Sequence, residues 1–210
     1  MLIGIISDTH IPSRSYEIPN KIFDVFKNVD LILHAGDIES LDVIEKLEKI
    51  APVTAVHGNC DLNLGLNDFE ILSIDNLKIG LTHGIVYPKG DEQQLYYKTK
   101  ELNVDILISG HTHQAMIKQI EDILLLNPGS PTQPHLSNPT VMLLEINDSK
   151  VDAEIIKIGN PTCKALDFSR FKQRRHIVMS RWKAKHDKEH YYKLAKKQNY
   201  RSRASYKLKQ

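Results

Sequence analysis

The sequence predicts an α/β fold of two packed mixed β-sheets with helices on the outside. Three observations lead there. β-rich apolar runs alternate with helical periodicities up to Val56, short strand-like runs dominate the remainder, and polar clusters recur at the ends of five of the runs.

Residues 2–7 form an apolar run ending in Ser7-Asp8-Thr9-His10, which reads as a buried strand carrying polar groups at its C-terminal end. Ile18, Ile22, Phe23, Val25 and Phe26 fit one face of a helix over 18–26 that packs on the sheet. Leu31-Ile32-Leu33 is a second strand, running into His34-Ala35-Gly36-Asp37. Residues 39–49, with Leu41, Ile44, Leu47 and Glu-Lys pairs, form an amphipathic helix with a solvated charged face. Residues 53–56 are a third strand ending in His57-Gly58-Asn59-Cys60-Asp61. This β-α-β-α-β alternation implies parallel strands joined by right-handed crossovers.

The segments 69–74 and 77–81 flank Asp75-Asn76 as a hairpin and lead to Thr82-His83-Gly84. A helix is expected over 92–102, and Ile106-Leu107-Ile108 is a strand entering Ser109-Gly110-His111-Thr112-His113. Strand-like runs follow at 115–120, 123–126, 140–146 and 151–158, so the second half is expected to be mostly antiparallel. No internal repeat or low-complexity segment precedes residue 170.

At 210 residues, 41% hydrophobic and 26% charged, the chain suits one compact domain with an appendage. Two cysteines, Cys60 and Cys163, give no disulfide framework and fit a reducing interior. No apolar run approaches the roughly 20 residues that span a bilayer. Met1 to Ile6 reaches Asp8 too soon for the apolar region of a signal peptide, so a cytoplasmic protein without a membrane partner is expected. Charge divides the chain: residues 1–169 hold 13 Lys and Arg against 24 Asp and Glu, while 170–210 hold 15 against 2. The domain is therefore assigned to 1–169 and a basic tail to 170–210.

Side chains beyond the carboxyl ends of strands converge on one crevice in open α/β sheets. The clusters Asp8-x-His10, Gly36-Asp37, Gly58-Asn59, His83-Gly84 and Gly110-His111-x-His113 are placed to meet in this way. Within an extended segment, residues two apart share a side, so Asp8 with His10 and His111 with His113 can each face the crevice. Imidazole and carboxylate together suit first-row transition metals such as Mn, Fe, Ni or Zn. Seven candidate ligands exceed what one ion needs. Two ions about 3.5–4 Å apart would use them and clamp the attacking and leaving oxygens of a displacement at phosphorus. Taken singly, Asp8-x-His10 or Gly36-Asp37 is an ordinary cap or turn, whereas Gly-His-Thr-His straight after a buried strand has few structural uses. His34 and His57 read as core histidines or partners of ligands, and His135 as a loop residue.

The five motifs, in this order and spacing, resemble the calcineurin-like metallophosphoesterase superfamily over about residues 1–160, including Asn127-Pro128-Gly129-Ser130. Within it the chain resembles the small archaeal and bacterial phosphodiesterases, relatives of a eukaryotic retromer subunit. The resemblance implies a four-layer αββα sandwich and a two-metal phosphodiesterase. Asp8, His10 and His113 would hold one metal and Asn59, His83 and His111 the other, with Asp37 bridging both. Asp37, Asn59 and His83 would stand at the catalytic centre. A water or hydroxide bridging two divalent ions, manganese first among them, would attack phosphorus in line. One residue departs from the pattern: where many members carry histidine after Gly-Asn, this chain has Cys60. A neutral thiol is a poor substitute for a cationic acid, so catalysis should lean on the metals, and a non-catalytic metal-binding scaffold is an alternative.

The tail interleaves Arg174, Arg175, Lys196, Lys197, Arg201 and Arg203 with Trp182, Tyr191, Tyr192, Tyr200 and Tyr206. It reads either as an RNA-contacting arm or as a solvated tail, helical over 187–197. Residues 187–197 and 200–208 also resemble the N-terminal segment of FtsJ-like RNA 2′-O-ribose methyltransferases, with Lys207 matching that family's catalytic lysine. No Rossmann sheet or glycine-rich cofactor site accompanies it, so methyl transfer is not expected, and a vestigial or fused tail ranks ahead of a purposeful arm. The expected partner is a phosphodiester substrate; the sequence leaves the oligomeric state open, homo-oligomers included.

Overall fold

The computed structural model describes residues 1–147 and 150–160, together with the backbone of 174–178. Strand β1 (Leu2–Ile6) leads through α1 (Lys21–Phe26) to β2 (Leu31–His34), then through α2 (Leu41–Glu48) to β3 (Val53–Ala55). The hairpin β4 (Phe69–Ile74) and β5 (Leu77–Thr82) is followed by α3 (Glu92–Leu102) and β6 (Ile106–Ile108). Strands β7 (Ala115–Ile120), β8 (Ile123–Pro128), β9 (Thr140–Asn147), β10 (Lys150–Lys157) and β11 (Arg174–Val178) complete the order.

These strands form two mixed sheets, ordered β11-β10-β9-β1-β2-β3 and β4-β5-β6-β8-β7. Alternation along each strand explains how they stack. In β1, Ile3 and Ile5 point into the space between the sheets, where they join Leu33, Ile79, Leu81, Ile106, Leu124 and Leu126. Ile6 points the other way, into a cluster with Ile22, Phe26, Val43 and Leu47 from α1 and α2. In β8, Leu125 and Ile123 turn outward to Leu95 of α3 and to Val104. Strands covered on both faces read as unbroken apolar runs, as Leu2 to Ile6 and Ile123 to Leu126 do. The result is a helix, sheet, sheet, helix sandwich, and each fully buried aliphatic side chain contributes about 1.5–3 kcal/mol to it. Phe26 lies flat against Gly4, where a Cβ would stand 3.0 Å from the ring.

Polar caps fix the helix ends. Ser40 Oγ accepts from Asp42 N at the start of α2, and Asp91 Oδ1 accepts from Gln94 N at the start of α3. Such caps are worth about 1 kcal/mol each. Asn103 closes α3 in the left-handed region at φ 53°.

Two expectations change. The helix anticipated over 18–26 begins only at Lys21, because the residue before a proline is driven out of the helical region and Pro19 so excludes Ile18. Ile18 nevertheless stays in the α1 cluster. The second half is also less antiparallel than its turns suggest, since β5, β6 and β8 run parallel. Helix α3 returns the chain from β5 to β6 in the same direction, and β7 reverses it once more at the sheet edge before β8. Five residues of the segment assigned to the tail, 174–178, pair antiparallel with β10. The proposed helix 187–197, the tail's tryptophan and tyrosines, Lys207 and Cys163 lie outside the described residues. Among the described residues no helix is long and apolar enough to cross a membrane.

His34, at the end of β2, is wholly buried. Its Nε2 lies 3.2 Å from Thr9 Oγ1, and its Nδ1 has no partner. Burial pushes its pKa from 6.5 down to about 3. The unfolded chain therefore takes up a proton that the folded one refuses, and stability declines as pH falls from 6.5 toward 3. Urea unfolding at pH 6.5 and pH 5 should show the wild type losing about 2 kcal/mol more than His34→Gln over that interval. Equal losses in the two proteins would remove His34 as the cause.

Candidate metal centre

The loops after β1, β2, β3, β5 and β6 meet at one edge of the sandwich because backbone hydrogen bonds tie them together. Asp8 N donates to Gly36 O, His10 N to Asp37 O and Gly110 N to His83 O, at 3.0, 3.0 and 3.1 Å. All seven residues singled out in the sequence, Asp8, His10, Asp37, Asn59, His83, His111 and His113, come together there.

The route by which Asp8 pairs with His10, and His111 with His113, is not the extended segment expected. Asp8, His10, Asp37, His111 and His113 all have left-handed backbones, with φ of 54°, 45°, 55°, 67° and 60°. The strands have already ended, so strand alternation no longer directs these side chains; left-handed residues on either side of Thr9 and of Thr112 do. Such conformations cost on the order of 1–3 kcal/mol each and persist only where the surroundings hold them. Here Ser130 Oγ donates to Asp8 O, Thr132 Oγ1 donates to Thr9 O, and Arg14 N donates to His10 O.

Two groups of donor atoms result. Asp8, His10, Asp37 and His113 each place a ligand atom within 4.8 Å of the others, and Asp37, His83 and His111 do the same. Each group draws on both sheets. Asp37 Oδ2 belongs to both, 3.5 Å from His10 Nε2 and 3.4 Å from His83 Nε2. Asp8 Oδ1 lies 3.3 Å from His113 Nε2, and Asn59 Oδ1 lies 3.1 Å from His83 Nε2. The His83 and His111 rings stand 5.1 Å apart.

The hydrogen bonds on the far side of each ring decide what faces the pocket. His10 Nδ1 meets the Glu39 carboxylate at 2.8 Å, His113 Nδ1 meets Gln133 O, and His83 Nδ1 meets Ala35 O at 2.7 Å. These partners can only accept, so each Nδ1 carries a hydrogen and, in the neutral ring, each Nε2 turns a lone pair inward. His10 Nε2 and His113 Nε2 then face one another at 3.2 Å with no hydrogen between them. His83 Nε2 faces the Asp37 and Asn59 oxygens, to which a protonated ring donates and a neutral one cannot. Acceptors converging on acceptors require a positive charge among them, and a divalent cation of the transition series fits this mixture of imidazole and carboxylate.

The titration of the site shows the same demand for positive charge, which a proton on His83 can also meet. Burial alone would raise the Asp8 and Asp37 carboxyls, but hydrogen bonds and charge from His113 and His83 hold both below the usual carboxylate value. Burial pulls the His83 imidazole down, yet Asp37 and Asp8 outweigh it and raise its pKa. His111 is lowered by burial, with Lys89 and His83 adding to the effect. The Cys60 thiol is pushed up to about 11 by burial and by Asp37, so it stays neutral near pH 7.

Several residues that hold this arrangement were not legible beforehand. The Asp61 carboxylate accepts from four backbone amides: Asp37 N at 3.0 Å, Ile38 N and Glu39 N at 2.7 Å, and Gly58 N at 2.8 Å. It locks the loop after β2 to the loop after β3. The motif Gly58-Asn59-Cys60-Asp61 displayed this aspartate, but nothing in it reveals that the carboxylate serves the backbone. Glu39 orients His10, and Asn127 Nδ2 donates to Gly110 O at 2.7 Å. Gly58 is required by close approach, since a Cβ there would fall 2.2 Å from Asp37 N. Gly110 is similarly pressed, 2.8 Å from Asp8 Oδ2. His57 contacts Asp61 O through Nε2 at 2.8 Å, which makes it a partner of the loop. His135 is a loop residue as expected, but its ring lies 4.4 Å from that of His113, at the rim of the pocket.

Comparison with known proteins agrees with this geometry. The family model described as the calcineurin-like phosphoesterase superfamily domain matches residues 1–149. A probable metallophosphoesterase of Methanothermobacter thermautotrophicus is 54% identical over 172 residues, covering 81% of this chain and all of that protein. A phosphodiesterase of Methanocaldococcus jannaschii is 33% identical over 175 residues, covering 74% of this chain and 99% of that protein. Among solved structures, Vps29 from Entamoeba histolytica complexed with zinc is 34% identical with a TM-score of 0.71, covering 85% of this chain and 99% of its own. An archaeal phosphodiesterase is 29% identical with a TM-score of 0.59, covering 74% of this chain and 100% of its own. Domain match, sequence identity and the arrangement of the two sheets converge: the chain belongs to the calcineurin-like phosphoesterase superfamily.

Proposed function

We propose that this phosphoesterase is a phosphodiesterase working with two divalent cations. The observation that carries the reading is the convergence of imidazole Nε2 atoms and carboxylate oxygens on one pocket at 3.2–3.5 Å. A phosphodiesterase among the relatives and zinc in a structural neighbour support it. Asp8, His10 and His113 would hold one ion and Asn59, His83 and His111 the other. Asp37 lies between them, nearly equidistant from His10 and His83. Manganese, iron, nickel or zinc suits these donors. When bound, such a pair supplies Lewis-acid charge to the phosphoryl oxygens and lowers the pKa of a water for in-line attack.

The chain's own residues do the rest. Asp37 Oδ1 is fixed by the Cys60 amide at 2.7 Å, which leaves Oδ2 aimed at the pocket. Asp8 is fixed by Ser7 Oγ at 2.6 Å and by the His111 amide. Glu39 and Gln133 O hold the His10 and His113 rings in the tautomer that presents Nε2. Cys60, neutral and next to Asn59, donates no positive charge to a departing alkoxide. Diesters whose leaving groups need no proton are therefore the best substrates. Cys60 also favours a second reading, a metal-binding scaffold without turnover.

Hydrolysis of bis(p-nitrophenyl) phosphate decides between the two. The activity should disappear on chelation, return with added Mn²⁺, and fall by more than about a hundredfold in Asp37→Asn. Metal uptake without any turnover would leave only the scaffold. A second measurement addresses the loop lock: Asp61→Asn places an amide N–H₂ against backbone N–H groups. It should weaken cation binding by about 10–100-fold in equilibrium titration and cost roughly 1–3 kcal/mol of stability. Unchanged binding would show that Asp61 is dispensable to the pocket.

A further inference from the structure

Three imidazoles stand in a file from the floor of the pocket to its rim. The rings of His10 and His113 lie 5.0 Å apart, and those of His113 and His135 lie 4.4 Å apart with a tilt of 37°. His10 and His113 are buried, at 0% and 3% exposure, whereas His135 is exposed. The outer ring therefore covers His113 on the side open to an arriving substrate. Its loop holds it there. Residues 133–137 grip His113 at both ends, since Gln133 O accepts from His113 Nδ1 and Ser137 Oγ donates to His113 O at 3.0 Å. Gln133 N donates to Ser130 Oγ and Ser137 N to Pro134 O, both at 2.8 Å. At the apex His135 has a left-handed backbone, φ 48°. Such a conformation costs on the order of 1–3 kcal/mol, persists only where the surroundings impose it, and gathers at functional sites.

A phosphoryl group is rich in acceptors, and the side chains deep in the pocket have few hydrogens to offer it. His10, His83 and His113 direct their Nδ1 hydrogens away from it, to Glu39, Ala35 O and Gln133 O. The Ser130 and Thr132 hydroxyls are committed to Asp8 O and Thr9 O, and Asn59 Nδ2 donates to Cys60 Sγ at 3.3 Å. Cys60 itself is a weak donor. Among the described residues neither ring nitrogen of His135 has a hydrogen-bond partner. An imidazole keeps at least one N–H in either protonation state. Because its nitrogens lie in the ring plane, a ring held by its face on His113 leaves that N–H free for another molecule.

We propose that His135 is a substrate-contacting residue whose ring N–H donates to a non-bridging oxygen of the phosphoryl group held in the pocket. This rests on the phosphodiesterase reading above and adds a residue to it. The stack on His113 sets the ring in place before the substrate arrives, so no side-chain freedom is lost when the bond forms. A donor fixed in that way acts more strongly as negative charge gathers on the phosphoryl oxygens during displacement, so its effect reaches kcat as well as KM.

Three variants of the full-length chain separate contact from support. His135→Ala removes the ring, His135→Phe keeps a ring over His113 without an N–H, and His135→Gln keeps an N–H without the imidazole; circular dichroism checks that each is folded. Binding of inorganic phosphate to the Mn²⁺-loaded proteins, followed by calorimetry, is a readout independent of turnover. Its Kd should rise about tenfold in His135→Ala and His135→Phe and return most of the way in His135→Gln. The affinity for Mn²⁺ alone should be the same in His135→Phe as in the wild type. With bis(p-nitrophenyl) phosphate, kcat/KM should fall about tenfold or more in the Ala and Phe variants, with part of the loss in kcat. Phosphate bound by His135→Phe as tightly as by the wild type overturns the proposal and leaves the ring as a support for His113. So does a loss of Mn²⁺ affinity in His135→Phe that accounts for the weaker phosphate binding, or a wild type that binds no phosphate. A metal-loaded wild type that binds phosphate but turns over no diester overturns the phosphodiesterase reading instead, and the phosphate titration then still decides the role of His135.

Discussion

The structure of the site depends on one buried charge, the Asp37 carboxylate. A carboxylate removed from water is costly unless it is paired and hydrogen-bonded on every side. Asp37 sits between His10 and His83, takes the Cys60 amide on its other oxygen, and has its own amide tied to Asp61. Those contacts draw the loops after β1, β3 and β5 onto the loop after β2. The pocket is therefore assembled by the requirement to satisfy this group, and its neighbours are placed by it.

The apolar sandwich below supplies the rigidity that this assembly needs. Five residues of the site have left-handed backbones, conformations that a loosely held loop would relax. Short strands covered on both faces set the starting points of those loops. Ser130 and Thr132, more than a hundred residues away in sequence, fix the carbonyls of Asp8 and Thr9. The strain at the pocket is offset by core packing elsewhere and by buried hydrogen bonds beside it.

Much of this was legible in the sequence, and the reasons for the rest are physical. Buried strands announce themselves by apolar runs, and side chains able to ligate a metal stand out when they follow such runs, which is why Asp8, His10, Asp37, Asn59, His83, His111 and His113, which the fold brings together, could be named as candidates. Periodicity does not encode backbone handedness, so the extended geometry assumed for Asp8 with His10 was replaced by left-handed residues. Asp61 and Glu39 act through backbone amides and a ring nitrogen, and an acidic residue that serves the backbone looks like one that faces solvent. Strand direction after β5 escaped because β7 reverses the chain without changing its composition. His135 lies in a turn with no pattern of its own, and only the folded path brings it to His113.

Because each donor group takes side chains from both sheets, a bound cation is also a crosslink across the sandwich. Asp8, His10 and Asp37 leave one sheet, while His83, His111 and His113 leave the other. Without a cation that link across the seam is missing. With one, the free energy of coordination is added to that of folding, so the molecule's resistance to heat rises with the concentration of free metal in its surroundings. The pocket and the packing between the sheets are in that sense a single thermodynamic unit.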